Sequence, residues 1–376
     1  MQTPLTSMLS ALSDGQAVAE CLRRGLCFAL YRLPGAEAAT LVVSETAEEC
    51  VVIPQREGFV VNRFAEKNCR FICADYQRTV RLHDENLDET GGFGVGKCAC
   101  GDRPDESGSC LTRHGASLRA DTRYLAGASA IIDDLRKDGG KTVYAHVFET
   151  ETLKSCFNIF LSLTQRFPDA FVYLWHIAGE DDVWVGATPE LLLSLDGKQL
   201  CTMALAGTRA AGTAGGWDDK NIAEQRYVAD YIADRFSEAG IEPQLLPTRT
   251  LCAGQVEHIC TPIEGVAKLG RLQAAELASR LSPTPAVCGI PVDRALKHIA
   301  EHELNPRRYY AGYSGPVSEG GDFSLFVTLR CARLLADGKA EVYAGGGLTA
   351  ASNPDAEWAE AALKASALLK LLTETK

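Results

Sequence analysis

The chain has 376 residues, enough for one large domain or two ordinary ones, and its 46% hydrophobic and 23% charged residues are the balance of a globular protein. A net charge of −11 repels nucleic-acid backbones and anionic lipid surfaces, so neither is an expected partner. No run reaches the roughly 18 apolar residues of a membrane span, and residues 1–25 lack the basic and apolar regions of an export signal, so the cytoplasm is the expected compartment. The 14 cysteines are scattered, several inside apolar runs (Cys156, Cys201, Cys331), and are expected to be reduced and buried.

Residues 12–75 alternate the apolar runs Cys27–Tyr31, Thr40–Val43 and Gly58–Val61 with polar breaks, which predicts strands of an antiparallel sheet. Residues 80–120 are polar and glycine-rich and read as a flexible insertion. Within them Gly91–Cys98 is one residue short of a phosphate-binding loop. It carries Cys98 where Ser or Thr should stand, and it has no strand before it or helix after it. Cys98, Cys100 and Cys110 form no CxxC pair and read as loop cysteines rather than zinc ligands.

From Ala120 the pattern tightens. Ala128–Lys137 predicts a helix ending at Gly139-Gly140, Lys141–Phe148 a strand, and Leu153–Arg166 a helix. Asp196-Gly197 and Asp337-Gly338 each lie between apolar strands and predict two-residue hairpin turns. That register sets Gly186 opposite Gly207 and Arg330 opposite Gly345. Two such hairpins also hint at two related halves.

On the helix predicted over Ile222–Phe236, Glu224 shares a stripe with Val228, Tyr231 and Ile232. A carboxylate on an apolar stripe is desolvated and suits a general acid, although a boundary glutamate would look the same. Glu264, between Pro262 and Gly265, reads either as a metal ligand or as part of a turn. Asn353 and Pro354 start a helix on which Glu357, Glu360 and Lys364 head a stripe continued by Leu368 and Leu371. The stripe is either a site or a solvated Glu360–Lys364 pair. The preceding Gly345–Gly347 run would let a ligand approach backbone N–H groups.

Seven segments occur in order: GATPELLL (186–193), ALAGTRAAG (204–212), DKNIAEQRYV (219–228), CTPIEG (260–265), LSPTPAVCGIP (281–291), FVTLRCARL (326–334) and YAGGGLTAASNPDAEWAEAALK (343–364). Together they resemble the chorismate-utilising enzymes over about residues 120–376. The first ~115 residues share only general character. The resemblance implies an α+β fold in one large domain, 1–376, with two extended, mainly antiparallel sheets packed together and helices outside. Residues 1–119 would be its divergent part and 120–376 its catalytic core.

The resemblance also implies a site. Mg²⁺ would be held by Glu264 and Glu360, with Glu357 behind or through water. Chorismate would be held by Arg330, Lys364 and the backbone of Gly345, Gly346 and Gly347, beside Thr208 and Ala286. Glu224 resembles the general acid, although Gln225 follows it where many relatives have His. Lys141 resembles the lysine base of the isochorismate and salicylate branches. Aminodeoxychorismate enzymes carry a lysine where this chain has Ala206, and Ala286 resembles the isochorismate branch. The implied activity is a Mg²⁺-dependent isomerisation of chorismate to isochorismate, in which water adds at C2 and the C4 hydroxyl leaves. A base must be partly neutral, so Lys141 is expected to be desolvated or near positive charge. Salicylate synthase and anthranilate synthase component I are the alternatives. The product would serve menaquinone or siderophore synthesis, and the chain is expected to be a monomer or a dimer.

Overall fold

The computed structural model describes residues 4–82, 120–253 and 256–374. The Gly91–Cys98 motif, its cysteines and most of the 80–120 insertion lie outside those residues.

The chain opens with α1 (Pro4–Leu9) and α2 (Asp14–Arg24). Six strands follow: β1 (Cys27–Arg32), β2 (Ala38–Ser44), β3 (Ala47–Cys50), β4 (Gly58–Asn62), β5 (Cys69–Cys73) and β6 (Tyr76–Arg81). The next stretch alternates α3 (Thr122–Asp138), β7 (Lys141–Glu151), α4 (Cys156–Arg166), β8 (Phe171–His176), β9 (Asp182–Thr188), β10 (Leu191–Asp196) and β11 (Gln199–Ala210). Then come α5 (Asp219–Glu238), β12 (Gln244–Leu245), β13 (Arg249–Ala253), β14 (Val256–Val266), α6 (Arg271–Leu281), β15 (Gly289–Ile290) and α7 (Val292–His302). β16 (Tyr313–Val317), β17 (Phe323–Val327), β18 (Cys331–Leu335), β19 (Lys339–Leu348) and α8 (Pro354–Thr373) complete the described chain. None of these helices is long and apolar enough to cross a membrane.

The strands form two sheets, ordered β15-β7-β19-β18-β9-β8-β1-β2-β6 and β12-β14-β11-β10-β17-β16-β4-β5-β3, with β13 added on β14. The described pairings are antiparallel. One core lies where the sheets face each other, with Phe59, Trp175, Trp184 and Phe326 among its buried residues. Phe171 and Phe326 stack there, from β8 and β17, at 4.2 Å between ring centroids. A second core packs α2, α3, α4 and α8 against the first sheet through residues such as Leu30, Ile131, Phe160 and Leu371. The first sheet is therefore covered on both faces. This is why β8 is buried at every position instead of alternating. The fold is α+β with two antiparallel sheets, as the resemblance implied.

Both hairpin registers differ from expectation. In β10–β11 the turn is Gly197-Lys198, with Asp196 still paired to Gln199 and Gly197 in the left-handed region at φ 60°. β9 and β10 also belong to different sheets, because the chain crosses at Pro189-Glu190. Gly186 therefore pairs with Cys331 and Tyr173 in the first sheet, while Gly207 lies in the second. In β18–β19, Cys331 pairs with Tyr343, which needs a three-residue loop, Ala336–Gly338. That shifts the ladder by one residue and leaves Arg330 outside it, at φ 48°. The two hairpins sit in different sheets.

A buried ion pair ties the β7 end to its surroundings. Arg307 Nη2 donates to Glu303 at 2.5 Å and to the Val143 carbonyl at 2.8 Å, and its Nη1 donates to the Val287 carbonyl at 2.7 Å. Glu303 accepts the Ala145 N–H at 2.8 Å. Removing one member strands the other charge in the interior. Arg307→Leu should therefore cost about 3–5 kcal/mol, read as a shift of the denaturant midpoint. A loss below about 1 kcal/mol would show the pair to be dispensable.

Candidate active site

A cleft opens between the sheets, lined from β11, β14 and β19, the first turns of α5 and α8, and the Ala286-Val287 segment. It gathers Thr208, Glu224, Ala286, Arg330, Gly345, Gly346, Gly347, Glu357, Glu360 and Lys364. The sequence reading had proposed all of these. Ala206 lines it too.

The capping of α8 aims its carboxylates. Asn353 Oδ1 accepts the N–H groups of Asp355 and Ala356, and Pro354 occupies the first turn. The stripe Glu357, Glu360, Lys364 then faces the β19 glycines. Lys364 Nζ donates to the Gly345 carbonyl at 3.0 Å and to Glu360 at 2.6 Å. Glu357 is buried and accepts Ser352 Oγ at 2.6 Å. Burial raises the Glu357 carboxyl above its ordinary range, and the Glu360 charge adds to this. Burial alone would raise Glu360 as well, but Lys364, with Lys220 and Lys141, pulls it below the ordinary value.

Lys141 begins β7 opposite Ile290 and is buried. Burial desolvates it as expected, but the group beside its Nζ, at 2.6 Å, is the Glu224 carboxylate and not a positive charge. Gly347 leaves room for this pair. A Cβ there would fall 2.6 Å from Lys141 Cε and 3.1 Å from Glu224 Oε1. Gly347→Ala must therefore displace both side chains. It should lower turnover by about 10²-fold while leaving thermal unfolding close to that of the parent. Unchanged turnover would place the Lys141–Glu224 pair outside the chemistry.

The structure places two further residues in the cleft that sequence reasoning passed over. His258 on β14 has Nδ1 3.0 Å from the Gly207 carbonyl and Nε2 3.2 Å from Arg330 Nη2. A carbonyl only accepts and a guanidinium only donates, so Nδ1 carries the proton and Nε2 the lone pair. Burial, reinforced by Arg330 and Lys364, pushes this imidazole down to about 3, and the ring is neutral. Burial also lowers Arg330 from the ordinary arginine value. A desolvated guanidinium resting on a neutral ring keeps an unmatched positive charge, which suits an incoming carboxylate. Gly207 makes the contact possible: a bulge between Ala206 and Thr208, with Gly207 at φ 71°, turns its carbonyl toward His258.

The second is Glu190, at the crossing from β9 to β10. It is buried and lines the cleft. Desolvation pushes its carboxyl up to about 8, although Lys141, Arg330 and Lys364 pull the other way. At neutral pH it holds a proton. The sequence reading put the proton donor at Glu224. In the structure Glu224 lies 2.6 Å from Lys141 Nζ, and Glu190 joins Glu357 as a cleft carboxyl that burial raises above its ordinary range. The available signal was a lone glutamate between the apolar runs Val183–Ala187 and Leu191–Leu193.

Glu264 is not part of the cleft, contrary to expectation. It pairs with Cys201 and Gln244 near the far end of β14 and accepts Gln199 Nε2 at 3.4 Å. Six residues separate it from His258 along an extended strand, or roughly 20 Å. It cannot share a cation with Glu360. Glu224 lines the cleft together with Glu357 and Glu360. A Cβ on Gly346 would fall 3.0 Å from Glu357 Oε2 and 3.7 Å from Glu360 Oε1, while one on Gly347 meets Glu224. Three carboxylates supply the hard oxygen donors that suit Mg²⁺. Among the described residues no three His, Cys, Asp or Glu side chains are already drawn together as a ligand group. Each of these carboxylates instead meets a lysine: Glu224 with Lys141 and Glu360 with Lys364 at 2.6 Å, and Glu357 with Lys220 at 3.8 Å.

Taken together, the cleft is built to bind a small polyanion and to move protons on it. Residues 124–373 match the family model described as "Chorismate binding enzyme", and the chain belongs to that family. Among relatives, it is 34% identical over 216 residues to isochorismate synthase EntC of Escherichia coli, covering 53% of this chain and 54% of that protein. It is 33% identical over 204 residues to isochorismate synthase DhbC of Bacillus subtilis, covering 50% of each. The chain thus spans about half the length of the curated relatives it matches. The solved structure of MenF, the menaquinone-specific isochorismate synthase of Escherichia coli, shares the fold, with a TM-score of 0.71 at 22% identity over 92% of this chain and 89% of that one.

Proposed function

We propose that this protein is a Mg²⁺-dependent isomerase that converts chorismate to isochorismate. The observation that carries the reading is a cleft lined by Arg330 and by Glu190, whose carboxyl burial raises, with the buried amine of Lys141 set against the cleft residues Glu224 and Gly347. Arg330 and Lys364 hold the substrate carboxylates, and His258 fixes the guanidinium from behind. In its neutral form Lys141 takes a proton from water as the water oxygen bonds to C2. The ring double bonds shift, and Glu190 gives its proton to the C4 oxygen, which leaves as water. Atoms and charge balance, since one proton enters Lys141 and one leaves Glu190.

Glu224, Glu357 and Glu360 would hold the Mg²⁺, which when bound supplies charge neutralisation and a template for the ring carboxylate. Ala206 in the cleft wall leaves no lysine there to attack the ring, which separates this site from the aminodeoxychorismate branch. Names of the relatives and the acidic, membrane-averse composition support a cytoplasmic enzyme whose product feeds menaquinone or siderophore synthesis.

Incubation with chorismate and Mg²⁺, followed by chromatography, tests the reading. Isochorismate is the expected product. Salicylate fluorescence, or anthranilate formed only with ammonia, would overturn it.

A further inference from the structure

Lys220 has no part in the chemistry above, yet it lines the cleft. It stands in the first turn of α5, where the positive end of the helix dipole disfavours a cation and where Asp218 and Asp219 are the favourable residues. Its side chain is 51% exposed, and its ammonium reaches Glu357 Oε1 at 3.8 Å. The other two lysines paired with these carboxylates are different. Lys141 and Lys364 are only 6% and 15% exposed and meet their carboxylates at 2.6 Å. Lys220 is thus a long, half-solvated tether with a loose ion pair, and it can leave Glu357 at little cost.

Glu357 needs a cation more than its neighbours do. It is 6% exposed in its side chain and shares the cleft with the Glu360 carboxylate. An ammonium near that carboxylate repels an incoming divalent ion, and of the three lysines paired with these carboxylates Lys220 is the exposed, loosely held one that can move away. We infer that Lys220 is a tethered counter-ion for Glu357 that competes with the divalent metal and holds metal affinity down until a substrate carboxylate enters the cleft. This rests on the metal reading given under Proposed function. A substrate carboxylate adds a donor that the lysine cannot match, so the metal then wins.

Calorimetric titration of the full chain with MgCl₂, without chorismate, tests it. Lys220→Gln should bind Mg²⁺ about threefold to tenfold more tightly than the parent. Lys220→Arg keeps the charge and should match the parent. Lys297→Gln, on α7 and 71% exposed, controls for net charge and should also match. Adding chorismate should shrink the gap between Lys220→Gln and the parent. The inference is overturned if Lys220→Gln binds no more tightly, or if Lys297→Gln tightens equally. Parent binding without that change sinks this inference alone. A chain that takes up no Mg²⁺ in any form sinks the metal reading with it.

Discussion

Lys141→Ala should abolish conversion of chorismate, with kcat falling by about 10²–10⁴-fold, while chorismate still binds. Glu224, the acceptor beside Lys141, is committed to the metal in this reading. His258 is neutral, but its lone pair is committed to Arg330. The groups that hold the substrate, Arg330 and Lys364, do not touch Lys141. The change should therefore appear in kcat and not in the dissociation constant, which a binding titration measures separately. A variant with near-parental kcat would remove Lys141 from the role of base.

Glu190→Gln should produce a comparable loss in kcat, about 10²–10⁴-fold, with an opposite effect on stability. In the parent the acid works only while protonated. The acid therefore sets the alkaline limb, and the rate should fall as pH rises through the Glu190 value of about 8. The glutamine variant should lack that alkaline limb. The stability argument follows from the same burial. An unfolded glutamate loses its proton near ~4.3, whereas the folded one keeps it to about 8. Protonation therefore supports the fold fully below the unfolded value, and that support is lost as pH rises through the folded one. Glutamine cannot ionise. The variant should melt several degrees above the parent at pH 9, and the two should converge toward pH 4–5. Equal melting temperatures at pH 9 would show that Glu190 is not held protonated by burial.

The parts of this site that were legible in sequence are those set by local rules. Asn353, Pro354 and the 3.6-residue period placed Glu357, Glu360 and Lys364 on one inward face, and the structure has them there. The strands read from Cys27–Tyr31, Thr40–Val43 and Gly58–Val61 came out within a residue or two of their ends. The errors came from long-range geometry. A one-residue difference in loop length at Ala336–Gly338 shifted a register, and the crossing at Pro189-Glu190 split an apparent hairpin between two sheets. Glu264 reads as a ligand or a turn residue beside Pro262 and Gly265 and becomes a ligand only through the family resemblance, and local pattern does not reveal that six residues of extended strand separate it from His258. Glu190 looked like a break between strands, and its desolvation comes from walls contributed by Lys141, Arg330 and Lys364, far apart in the chain. His258 gave no helical or capping signal, since its importance lies in partners on β11 and at Arg330.

The N-terminal strands carry a consequence for how this chain can change. β1 lies hydrogen-bonded along β8, and β4 lies along β16. The part of the chain with least resemblance to its relatives thus seals the open margin of both catalytic sheets. Its side chains facing solvent are free to drift, because backbone pairing reads no side-chain identity, but its length and hydrogen-bonding edge are not. Excising it would leave β8 and β16 as bare templates for self-association. The cleft-bearing half thus leans on the strand edges of a neighbour none of whose described residues lines the cleft.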